Sequence, residues 1–282
     1  MPEQGNLEDP AFSPDGRRIA MRIVDLGESQ DIWIFDRDQE TLERLTVEGD
    51  VNETPVWTPD GIRIAFSSRR EGGSGELYWQ PADGSGPAEQ LLATDFRAIP
   101  GSWSPDGQTL AFQGLRGSWD VGLLTLGDST GDATPRGVLE SEFDEVHPQL
   151  SPDGQWLAYT SDRSGEQEVY VRATSGESAR YPVSTNGGHS PRWSPDGNTV
   201  YFAVGEAVMA ASVSTDGGLR VTTRVQRYEG VNDLNPITSV NYDVHPDGEE
   251  FVHIRIGSDQ AGRPLIWILN WPEIVEEMTR LR

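Results

Sequence analysis

Neither cysteine nor lysine occurs anywhere in this chain. Without a thiol there is no disulfide, no thiolate zinc centre and no sulfur nucleophile, and the redox compartment is left open. Without lysine, all 22 basic residues are arginines, and they face 46 acidic residues for a net charge of −24. A surface this acidic repels phosphate backbones and anionic lipid headgroups, which argues against nucleic acid and membrane surfaces as partners. Most of that charge is expected to be solvated surface. Long apolar runs are missing too: mean hydropathy is −0.53, and no stretch approaches the roughly 18 residues of a membrane-spanning helix. The segment Met1-Pro2-Glu3-Gln4-Gly5 carries neither the basic nor the apolar part of a signal peptide, so a soluble chain is expected. Also absent are Gly-x-Ser-x-Gly, a glycine-rich phosphate loop, His-Glu-x-x-His and an EF-hand loop. No residue is therefore assigned a catalytic role, and no enzyme activity is expected.

What the sequence does have is one tetrapeptide written six times: Ser13-Pro14-Asp15-Gly16, Thr58-Pro59-Asp60-Gly61, Ser104-Pro105-Asp106-Gly107, Ser151-Pro152-Asp153-Gly154, Ser194-Pro195-Asp196-Gly197 and His245-Pro246-Asp247-Gly248. Successive prolines lie 45, 46, 47, 43 and 51 residues apart, the period of a four-stranded propeller blade. Each copy reads as a tight turn: the hydroxyl bonds back onto it, proline presets φ, and glycine leaves with φ > 0. A short apolar piece precedes every copy, as in Pro55-Val56-Trp57, and a β-rich run follows, as in Ile64-Ala65-Phe66, so each turn joins two strands of a hairpin.

These repeats predict an all-β chain, a single six-bladed β-propeller of four-stranded antiparallel blades over residues 1–270, with blades starting near 8, 53, 99, 146, 189 and 240. Residues 127–136 and 215–235 read as loops or loose returns. Blade six shows three strands, so either residues 4–7 supply its outer strand or its edge stays open. The tail 271–282 predicts a short helix packed on the propeller: proline opens it, acids come early and arginines late, and Ile274, Val275, Met278 and Leu281 share one face.

The pattern Pro-x-Trp-Ser-Pro-Asp-Gly, strand, Ser-Asp-x-x-Gly, Val-Tyr-Val resembles the TolB-type (WD40-like) β-propeller repeat over nearly all of residues 8–270. Trp156 to Asp162, Glu168 to Arg172 and the pair Asn270-Trp271 look like the propeller that follows bacterial Ser/Thr kinase domains. The resemblance implies a bacterial binding or scaffold module, periplasmic if it follows TolB, that receives a protein, peptide or small ligand. Alternatives are a sensor domain excised from a larger kinase-like protein, an engineered propeller without a natural partner, and a hydrolase or lyase working at the channel mouth.

The candidate site follows from the repeat. Glu8, Asp9, Glu53, His147, His189 and Asn241 fall at the entrance to the innermost strands, where they ring one mouth of the channel and differ from blade to blade, as a specific site requires. With this excess of acid a cationic visitor is expected, a basic peptide, an amine or a metal ion. No cofactor and no metal ligand are assigned, since residues spread around a rim more readily hydrogen-bond channel water than converge on a divalent cation in the central channel, the alternative they leave open. Binding is expected to weaken as the two histidines protonate below about pH 6. A monomer is expected.

Overall fold

The computed structural model describes residues 5–254, apart from 26, 28, 71, 128–132, 177–178, 216–217 and 230–236, together with 265–268. The described residues form 23 strands and no helix. The expected helix at 271–282 falls outside them.

The strands run in antiparallel sets that follow the repeats. The first set is β1 (Gly5–Phe12), β2 (Arg18–Asp25), β3 (Gln30–Asp36) and β4 (Thr41–Arg44). The second is β5 (Val51–Trp57), β6 (Arg63–Arg69), β7 (Glu76–Pro81) and β8 (Glu89–Leu92). A single parallel pair, Gln30 with Val51, joins these two into one eight-stranded sheet. Separate four-stranded sheets follow: β9 (Ala98–Trp103) to β10 (Thr109–Leu115), β11 (Trp119–Thr125) and β12 (Thr134–Leu139); then β13 (Glu145–Leu150) to β14 (Trp156–Ser161), β15 (Glu168–Ala173) and β16 (Tyr181–Pro182); then β17 (His189–Trp193) to β18 (Thr199–Val204), β19 (Ala207–Ser214) and β20 (Arg220–Glu229). The last sheet has β21 (Tyr242–Val244), β22 (Phe251–Ile254) and β23 (Leu265–Ile268).

The turns form as their residues dictate. Ser13 Oγ donates to Asp15 Oδ1 at 2.6 Å and accepts from the Arg18 N–H at 2.9 Å, while Gly16 N–H closes the turn on Ser13 O at 2.8 Å. Each turn glycine holds φ between 69° and 78°. It also lies against its predecessor: a Cβ on Gly61 would come within 3.6 Å of Pro14, one on Gly107 within 3.7 Å of Pro59, and the same stacking passes through Gly154, Gly197 and Gly248. Gly16 completes the circuit, because a Cβ there would meet His245 Nε2 at 1.9 Å. His245, in the place the other turns give to Ser or Thr, thus seats its ring over the first turn and edge-on to Phe12, with centroids 4.9 Å apart.

The core lies between successive sheets. Trp57, Ile64 and Phe66 pack on Ala20, Ile32 and Ile34 of the preceding set. Trp103, Leu110 and Phe112 pack on Ala65 and Leu77, and Trp193, Val200 and Phe202 on Ala158, Val169 and Val171. The last sheet returns to the first, with Val252 buried among Phe12, Ile19, Met21 and Ile23. Burying these side chains contributes on the order of 1.5–3 kcal/mol each, and the ring collects that from every sheet.

Two expectations about loops change. Gly5, Asn6 and Leu7 pair with Asp25, Val24 and Ile23 of β2, so they lengthen the first set instead of supplying an outer strand to the last. Paired there, Leu7 packs against the apolar cluster of Phe12, Ile19, Met21 and Ile23. Residues 134–139 and 220–229 are strands β12 and β20, so the intervening loops are shorter than their polarity suggests.

Candidate functional site

At the channel end of the innermost strands the chain repeats an unusual backbone. Asp9, Thr54, His147 and Ser190 each precede a proline, and each has φ of 53–54°, the left-handed region that residues other than glycine seldom adopt. In each strand the register with its neighbour slips at that point, a β-bulge that redirects the side chain. The freed backbone is satisfied by the preceding set: His147 N–H donates to Gln113 Oε1 at 2.7 Å, and Ser190 N–H to Thr160 Oγ1 at 3.1 Å. Asp9 Oδ1 accepts from the Val240 N–H at 3.0 Å, and Asp243 Oδ2 from the Phe12 N–H at 2.8 Å. These bonds tie neighbouring sets together around a central cavity of about 30 Å³, lined by Asp9, Thr54, Gln113, His147, Gln149 and Arg192 among others. A space of that size holds water and no organic ligand.

Above it, Arg22 of β2 gathers three of the expected acids. Its guanidinium pairs with Glu8, lies 3.2 Å from Asp9 Oδ2 and 3.2 Å from Glu53 Oε2, and donates to Ser239 Oγ at 3.0 Å and Gln30 Oε1 at 3.2 Å. Arg97 grips the other oxygen of Glu53 at 2.6 Å. The cluster floors an open pocket of about 480 Å³ lined by Glu8, Arg22, Gln30, Glu53, Ser67, Arg69, Ser74, Arg97 and Ser239 among others. Exposed Arg69 stands at its wall with no ion-pair partner among the described residues.

The electrostatics follow from burial. Desolvation pushes the Asp9 carboxyl up to about 6, against the opposing pull of Arg22. Burial holds the His147 imidazole well below the usual histidine range, with His189 and Arg192 adding to the effect. Both His147 ring nitrogens are buried without a hydrogen-bond partner among the described residues, a state a neutral ring tolerates and an imidazolium does not.

The structure therefore divides the six expected site residues. Glu8, Asp9 and Glu53 come together. His147 lies in the closed channel below them, while His189 and Asn241 line neither the pocket nor the central cavity. Arg22 and Arg97 stand among these three acids, so the cluster is less negative than the acids alone would make it. Among the described residues no group of three or more His, Asp or Glu side chains could hold a metal ion. Burial works against protonation of His147, so the pH dependence expected of it shifts to lower pH. Ser190 Oγ lies 3.0 Å from His189 Nδ1, and Ser190 is buried.

What sequence reasoning missed was Arg22. It follows the apolar triplet Ile19-Ala20-Met21, and its repeat equivalents are Ser67, Gln113, Thr160, Ala203 and Ile254. Ser67 lines the same pocket, Gln113 lines the channel, and Thr160 holds the Ser190 bulge. A polar residue closing an apolar β-run was the available signal.

Comparison with known proteins agrees with this architecture. The chain is 27% identical over 274 residues to an uncharacterized protein of Agrobacterium fabrum, covering 88% of this chain and 84% of that one. It is 26% identical over 210 residues to the uncharacterized peptidase YuxL of Bacillus subtilis, but spans only 32% of that protein's length. A TolB-type structure from Agrobacterium tumefaciens superposes with a TM-score of 0.66 at 21% identity, covering 86% of this chain and 87% of the other, a likeness of fold. The family described as the TolB beta propeller domain matches residues 2–124 and 95–240, and the chain belongs to that family.

Proposed function

We propose that this protein is a six-bladed propeller acting as a binding or scaffold module without turnover, and that a protein or peptide segment docks in the pocket over Arg22. The observation that carries the reading is the pocket itself: a mostly polar bowl whose charges are held in place by Arg22 and Arg97. Preorganised groups lose little entropy on binding, so specificity comes at small cost. Charges of both signs face the opening, Glu8 among them and Arg69 beside Ser67 and Ser74, which suits an extended segment carrying donors and acceptors better than a bare cation. The head-to-tail stacking of six turns and the packing of Val252 on the first set support six blades. A sensor role inside a longer kinase-like protein is the alternative context, resting on the likeness at residues 156–162 and 168–172.

Probing an array of mixed-charge heptapeptides with wild type and with Ser74→Trp, which fills the pocket, tests the site. Peptides bound by wild type should lose at least tenfold in affinity for the variant; an unchanged set of bound peptides would place recognition elsewhere. Steady turnover of peptide, ester or phosphate substrates would overturn the non-catalytic reading.

A further inference from the structure

Among the described residues the fifth set ends in the longest outer strand. β20 is 10 residues long, whereas β4 and β8 have 4, β12 has 6 and β16 has 2. It is the terminal strand of its sheet, paired with β19 on one side and with nothing on the other among the described residues. Residues 222–226 are all exposed, including Val225 at 48%. The sequence Arg-Val-Thr-Thr-Arg-Val-Gln-Arg-Tyr-Glu is rich in β-branched residues and free of proline, so nothing in it blocks a further strand.

Its charge is the second anomaly. In a chain of net charge −24, this strand carries Arg220, Arg224 and Arg227 against the single acid Glu229. The Arg220 side chain makes no hydrogen bond or ion pair within the described residues, and Arg224 spends only its Nε, on Val183 O at 2.6 Å. A strand from a second copy would set these arginines against one another, and like charges across a strand pair are destabilising. We propose that the free edge of β20 is a docking site for an extended acidic segment of a partner protein, added to the sheet as a further antiparallel or parallel strand. Main-chain hydrogen bonds along the edge give affinity, and Arg220 and Arg224 select acidic side chains flanking the paired stretch. The register slips of β20 at Met209 and Ser212 of β19 leave Thr223–Gln226 as the regular stretch between them, long enough for the central residues of such a segment.

The test uses the full chain and a fluorescein-labelled peptide, Glu-Glu-Val-Thr-Val-Thr-Asp-Glu, read by anisotropy. Wild type should bind it, and Arg220→Glu should weaken binding at least tenfold, with Arg220→Gln intermediate. The same peptide N-methylated at alternate residues keeps its charge but cannot pair, and should lose binding altogether. Equal binding of the methylated peptide would overturn strand addition, and equal binding by Arg220→Glu would overturn the edge as the site. Ser74→Trp at the channel pocket should leave this binding unchanged; if it abolishes binding, the peptide sits at the pocket and the β20 proposal fails while the pocket reading stands.

Discussion

Replacing Arg22 by methionine tests whether the mouth cluster is the electrostatic keystone that its geometry implies. The guanidinium is 9% exposed and meets Glu8, Asp9, Glu53, Gln30 and Ser239. Methionine of similar length fills the space but leaves the acids behind. Glu53 keeps Arg97, and Glu8 is closer to solvent, so the loss falls on Asp9, which is 3% exposed and has no other cation. Stranding one member of a buried ion pair costs about 3–5 kcal/mol. The sign with pH follows from Asp9. Its folded pKa, about 6, lies above the ordinary 3.8, so its contribution to stability is present below about pH 4 and lost as pH rises through 6. Without Arg22 the carboxyl climbs further and takes up a proton nearer neutrality. Urea denaturation of Arg22→Met should therefore show its full loss at pH 8 and a smaller one near pH 5, and adding Asp9→Asn should restore more than half at pH 8. A loss under about 1 kcal/mol at pH 8, or an equal loss at both pH values, would refute the reasoning.

Asp9→Asn alone should remove a slope: relative to wild type it should gain stability on the order of 3 kcal/mol as pH rises from about 4 to above 6, measured by denaturation across that range. Trp103→Ala should cost about 3–5 kcal/mol, because Trp103 is buried between sets and stacks on Trp79 at 6.1 Å; calorimetry would read the loss as a fall in Tm. Gly16→Ala should cost about 3 kcal/mol, since it meets His245, whereas Gly84→Ala, with φ of 68° and open space around it, should cost only about 1 kcal/mol. With a net charge of −24 the native state repels itself, so Tm should rise between about 0.02 M and about 0.5 M NaCl; a flat or falling Tm would show that the acids are locally compensated.

The fold was legible because its signals are local. A Ser-Pro-Asp-Gly turn closes through contacts within five residues, Ser13 Oγ to Asp15 and to Arg18 N–H, and six copies at one period need no tertiary knowledge to read. Strand β20 was less legible for the same reason: its threonines, glutamine and arginines form no alternating apolar face, since most of it is solvated and its pairing with β19 supplies the order. The closure of the ring was not legible at all. It depends on His245 standing over Gly16, on Phe12 N–H reaching Asp243 and on Arg37 reaching Glu250 at 2.7 Å, contacts separated by more than two hundred residues.

The channel mouth was half legible, and the missing half decides its chemistry. Repeat spacing brought Glu8, Asp9 and Glu53 to one rim, and acids on a rim of an acidic protein invite a cation. What pairs with them comes from outside the innermost strands: Arg22 from β2, and Arg97 from the loop before β9. Neither belongs to the repeat position that defines the rim. A carboxylate's preference for a ligand is set by the partner it already has, and the strength of that partnership depends on burial, which raises both the cost of leaving Asp9 unpaired and the worth of Arg22 beside it. Reading such a site from sequence therefore requires scanning every strand of the repeat for charges out of pattern, and Arg22, in the place where the other blades carry Ser67, Gln113, Thr160, Ala203 and Ile254, none of them charged, is the residue such a scan returns first.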